Sequence, residues 1–141
     1  MALVDNRAFR KTNTAAIDFM LLVGDAGGVN ERAPHVYMFQ YKAWHARNVT
    51  QAHMIESVTK LDNALKTLFS APFAQSNVLR KAGVHNARQV TLCVAAISFD
   101  AIDFAALAGP FNIVLFDSVD FRAMCGSAFI NTTFCKKFGF F

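Results

Sequence analysis

The chain has 141 residues, of which 54% are apolar and 17% charged. That is the length of one ordinary domain, too short for two independent cores and too apolar for a disordered or low-complexity chain. The net charge of +4 suits an anionic partner such as nucleic acid without requiring one, and no basic run exceeds two residues, which argues against a basic tail.

The first residues, MALVDNRAFRK, lack the apolar stretch of a secretory signal. The three cysteines, Cys93, Cys125 and Cys135, are an odd number without zinc spacing. Reduced thiols in an intracellular protein of the cytoplasm or nucleus, not a secreted one, are therefore expected. The most apolar stretch, Leu92 to Leu115, is broken by Asp100, Asp103, Gly109 and Pro110. It falls short of the roughly 18 uncharged residues that a membrane-spanning helix needs, so no membrane role is expected.

Ile17 to Val23 is a short apolar run that predicts a strand, and Gly24 to Gly28 predicts a turn. His35 to Ala43 is rich in β-formers and predicts a second strand, forming a hairpin with the first. Alternation puts Val36, Met38, Gln40 and Lys42 on one face and Tyr37, Phe39 and Tyr41 on the other. Met54, Val58, Leu61, Leu65 and Leu68 recur at helical spacing. Asn48 or Thr50 could cap that helix, and Ser70-Ala71-Pro72 ends it. Phe73 to Ala82 predicts a short helix stopped by Gly83. Gln89 to Phe99 predicts a buried strand. A helix over Ala101 to Ala108, capped by Asp100, follows. Phe111 to Phe116 predicts another strand, and Val119 to about Cys125 a last helix. The fold class is therefore α/β: one domain over residues 1–141 with a mixed central sheet, an N-terminal β-hairpin, then β-α-β units with flanking helices.

Phosphate-loop, dinucleotide, zinc-protease and serine-hydrolase motifs are absent from the sequence. Gln40 and Lys42 lie two apart on one strand face, and Asp18 begins the neighbouring strand. An amide and an ammonium projecting together are unusual in a chain so poor in charge, and a lysine leaving water needs a partner such as Asp18. By spacing alone this is compatible with an ion pair at a sheet edge, Lys42 reaching to water, or with a functional site.

Ile17-Asp18-Phe19-Met20-Leu21-Leu22, followed by Val36-Tyr37-Met38-Phe39-Gln40-Tyr41-Lys42, resembles the core of the restriction-endonuclease-like, or PD-(D/E)XK, nuclease family. That motif pairs an Asp on one strand with Glu-x-Lys or Gln-x-Lys on the next, then a helix and further strands. Val90 to Ile97 and Phe111 to Asp117 are similar to the later strands of Mrr-like members. Tyr37-Met38-Phe39-Gln40, ahead of Lys42 and His45, is similar to the nuclease-like domains of crinkler and retrotransposon hot spot proteins. The likeness spans roughly Ile17 to Met124. Two departures are visible: Gln40 replaces the usual Glu, and Ile17 stands before Asp18 where Pro is usual.

The resemblance implies a metal-dependent endonuclease that hydrolyses DNA phosphodiesters. Asp18, Gln40 and Lys42 would be its catalytic residues. Asp18, Gln40 and the backbone carbonyl of Tyr41 would hold Mg²⁺ or Mn²⁺, and His45 and Arg47 would touch nucleic acid. RNA is a second substrate to test, and a homodimer or larger assembly is compatible. One alternative is an inactive module of the same fold that binds nucleic acid or protein. The other is a small structural subunit of a larger assembly, its fifteen Phe serving a partner interface.

Overall fold

The structure, a computed structural model, describes residues 2–4, 17–24, 33–42, 48–70, 78–107, 109–120 and 123. Five strands make one sheet in the order β1 (Ala2–Val4), β2 (Phe19–Val23), β3 (His35–Tyr41), β4 (Val90–Ala95) and β5 (Asn112–Phe116). The first three run antiparallel, and β4 and β5 continue parallel to β3. The mixed α/β sheet and the hairpin of β2 with β3 agree with the sequence pattern. The additional strand β1 pairs Ala2 with Leu22 and Val4 with Met20.

β4 is the central parallel strand and is buried at all six residues. Its VTLCVA sequence is the near-continuous apolar run that a strand covered on both faces requires. β5, with one described neighbour, has a partly exposed pattern.

The long helix α1 spans Gln51–Phe69. Its stripe of Met54, Val58, Leu61, Leu65 and Leu68 packs into one core cluster with Met20, Val36, Met38, Val90, Leu92 and Val94 from one sheet face. Each such side chain, once buried, contributes about 1.5–3 kcal/mol against exposure. Of the two candidate caps, Thr50 is the one used. Its hydroxyl accepts the His53 N–H at 3.4 Å, while the Thr50 N–H donates to His53 Nδ1 at 3.2 Å. Ser70 closes the helix, as its place before Pro72 suggests.

The start of α1 is tied to the segment after β4. Val49 bridges Phe99, Asn48 bonds Ser98, and the Gln51 amide both donates to and accepts from the Asp103 backbone. A second helix, α2 (Val78–Lys81), is stopped at Gly83, whose φ of +87° suits a residue without Cβ.

One expected element is corrected. Residues 101–107 do not form an α-helix; a single 3₁₀ turn spans Phe104–Ala106, and Asp103 caps it, not Asp100. Asp103 is also the residue whose backbone the Gln51 amide holds. Residues 118–120 and 123 are helical, as expected for the last helix. The expected turn beyond Gly24, residues 73–77 of the short helix, Cys125, Cys135, His45 and Arg47 lie outside the described residues.

Among the described residues no helix is long and apolar enough to cross a membrane.

Candidate functional site

The candidate site forms where β2 begins and β3 ends. Phe19 pairs with Phe39 and Met20 with Met38. The pairing ends there, and Asp18 is the residue just before β2. Two hydrogen bonds mark the departure of the chain from the ladder. The Asp18 N–H donates to the Phe39 carbonyl at 2.9 Å. The Tyr41 N–H donates to Asp18 Oδ2 at 2.7 Å. A side-chain carboxylate thus replaces the backbone acceptor that β2 no longer offers. This arrangement satisfies a strand-end donor with a charge-assisted bond.

Lys42 is held from the other side. Its N–H donates to the Ala95 carbonyl at 2.9 Å, which carries the parallel pairing one residue past β3. N–H and C=O of one strand residue point to the same edge. Tyr41 therefore directs its backbone toward Asp18, and Lys42 directs its own toward β4.

Gln40 follows Val36 and Met38 on the face that packs against α1. Its Oε1 is buried and has no hydrogen-bond partner among the described residues. A buried carbonyl oxygen without a donor costs about 1–3 kcal/mol. Such an atom in a native fold calls for an explanation, a missing ion or water among them.

Lys42 is half-buried at the same end. Burial pushes its amine below the ordinary lysine value of 10.5. The Glu56 carboxylate on α1 opposes that shift, and the Lys60 ammonium adds to it. Glu56 in turn is paired with Lys60 one turn along the helix, which holds its carboxyl below the ordinary value.

Comparison with protein-family models, with curated proteins and with solved structures returns no match.

Asp18, Gln40, Tyr41 and Lys42 are thus brought to one end of the sheet, and Glu56 joins them from α1. The sequence reading missed Glu56. Its spacing from Lys60 reads as a helix-surface ion pair, and only the placement of α1 relates it to Lys42. Among the described residues no group of three or more His, Cys, Asp or Glu gathers. The donors at this end are oxygens instead: the Asp18 carboxylate, the Gln40 amide and the Tyr41 backbone. Oxygen donors suit a hard cation such as Mg²⁺ or Mn²⁺. The unpartnered Gln40 Oε1 fits that role, and the set carries a single carboxylate.

Proposed function

We propose that this end of the sheet is a metal-dependent nuclease site acting on DNA phosphodiesters. The observation that carries the reading is the Gln40 Oε1, buried and without a partner among the described residues, between the Asp18 carboxylate on the neighbouring Tyr41 N–H and half-buried Lys42 one step along the same strand face.

Asp18, Gln40 and the Tyr41 carbonyl would hold Mg²⁺ or Mn²⁺. Such a cation supplies Lewis-acid polarisation of the scissile phosphoryl group. The Tyr41 N–H fixes the Asp18 carboxylate through Oδ2, so the carboxylate needs little reorganisation to bind. The Lys42 ammonium donates a hydrogen bond to the attacking water or to a phosphoryl oxygen. Partial removal from water strengthens that interaction, and a group so placed contributes a few kcal/mol, of order ~3, to the transition state. His45 and Arg47 follow β3 within six residues and would contact neighbouring phosphates.

The same residues favour one second reading. Gln40 brings no charge where a nuclease usually has a carboxylate, which suits an inactive module that binds nucleic acid or protein.

The test is cleavage of supercoiled plasmid with Mg²⁺ or Mn²⁺ by the wild type, Asp18→Ala and Lys42→Ala. Metal-dependent nicking that both substitutions abolish supports the nuclease reading. A folded wild type that does not cut, and whose melting temperature ignores the metal, overturns it. Retained DNA binding would then favour the inactive module.

A further inference from the structure

Among the described residues, the charges around the site sum to zero. Asp18 is negative and Lys42 positive; Glu56 is negative and is paired with Lys60, which is positive. Gln40 contributes an oxygen without charge. One of the two Asp18 carboxylate oxygens already accepts the Tyr41 N–H. A divalent cation arriving alone would therefore meet a single carboxylate that already shares its charge with a hydrogen bond, a neutral amide oxygen and a nearby ammonium. Both components of its binding are weak: too few charged ligands, and a like charge beside them.

A phosphodiester changes this count. It brings a negative charge and unshared oxygens to the same place, complements Lys42, and completes an oxygen ligand set. Resting on the nuclease reading, we propose that the site takes up its divalent cation together with a phosphate-bearing strand rather than before it, and that the neutral Gln40 is what imposes this order. A carboxylate at position 40 would bind the cation without the strand. It would also leave a buried negative charge next to Tyr41, whose N–H Asp18 holds, whenever the cation was gone. Gln40 thus keeps the metal-free fold intact at the expense of metal affinity. Coupling of this kind is reciprocal: whatever factor the strand adds to metal affinity, the metal adds to strand affinity.

The experiment measures Mn²⁺ binding to the full chain by electron paramagnetic resonance, with and without a phosphorothioate DNA oligonucleotide that resists cleavage. Oligonucleotide binding is titrated with and without Mn²⁺. Melting temperatures of the wild type and Gln40→Glu are taken in each state.

The wild type is expected to bind Mn²⁺ at least tenfold more tightly with the oligonucleotide, with an equal gain in the reverse titration. Gln40→Glu is expected to bind Mn²⁺ alone, to lose most of the coupling, and to melt lower than the wild type until Mn²⁺ is added. Tight Mn²⁺ binding by the wild type without DNA overturns the inference and leaves the nuclease reading standing. Oligonucleotide binding that is indifferent to Mn²⁺, with no Mn²⁺ bound with or without the oligonucleotide, overturns both. Should Gln40→Glu fail to fold without metal, the reciprocal titrations on the wild type still decide the coupling.

Discussion

Asp18 holds the Tyr41 N–H with its side chain, at 2.7 Å, at the point where β2 stops offering a backbone acceptor. This bond has a structural and a chemical consequence that different substitutions separate. Asp18→Asn keeps an oxygen acceptor but loses the charge. Asp18→Ala loses both. At this exposed position the lost bond is worth about 1 kcal/mol. Urea unfolding is therefore expected to show Asp18→Ala less stable by about that amount and Asp18→Asn by less. Plasmid nicking is expected to be lost in both.

Gln40 predicts the opposite sign. Its buried Oε1 is unpaired among the described residues. Gln40→Met replaces the amide by an apolar chain of similar length, so the cost of an unpaired acceptor disappears. The variant is expected to be as stable as the wild type or more so, by up to about 1 kcal/mol. Any metal-dependent nicking is expected to vanish. Thermal melts and nicking assays on one preparation check both statements.

Lys42 links stability to alkaline pH. Burial lowers its folded-state value below 10.5, so the folded chain gives up this proton before the unfolded chain does. The penalty of the buried charge is fully present at neutral pH. Stability attributable to this group then rises as pH climbs through the folded value toward 10.5. Lys42→Met removes both the penalty and the rise. Urea midpoints from pH 7 to pH 11 are expected to show the variant ahead at pH 7 and the gap closing on the alkaline side.

Cys93 acts in the reverse sense. It is buried in β4, and burial pushes its thiol up from 9.0 to about 11. The unfolded chain loses this proton first, so the contribution falls between pH 9 and about pH 11. Cys93→Ala is expected to flatten that fall. In the wild type, mass spectrometry after iodoacetamide treatment at pH 8.5 is expected to find Cys93 unmodified in the native protein and alkylated in urea.

The α1 stripe carries the core and its cap sets its start. Leu61 is fully buried, and Leu61→Ala is expected to cost about 3 kcal/mol. Thr50→Ala removes the hydroxyl that accepts the His53 N–H and is expected to cost about 1 kcal/mol. Both are read as shifts in urea midpoint.

Local pattern determined much of this protein. The 3.6-residue period of Met54 through Leu68 is a property of one segment, and it specifies α1 whatever surrounds it. The apolar and β-forming runs at 17–23, 35–43, 89–99 and 111–116 likewise announce strands, and Gly83 announces a stop. The spacing of Gln40 and Lys42 puts them on one face wherever the strand goes.

Pairing between distant segments lay beyond that pattern. Three residues, Ala2–Val4, have too short a run to signal a strand; they become one because β2 offers them an edge. Residues 101–107 look helical by composition, yet the Gln51 amide holds the Asp103 backbone from the start of α1 and leaves room for one 3₁₀ turn. The bond from the Tyr41 N–H to Asp18, the burial of Gln40 Oε1 and the approach of Glu56 to Lys42 all follow from how β2, β3 and α1 are laid together. Those are register and packing relations between residues far apart in the chain. A single sequence carries the residues that satisfy them, while their mutual positions are decided only when the sheet and helix close on a shared core.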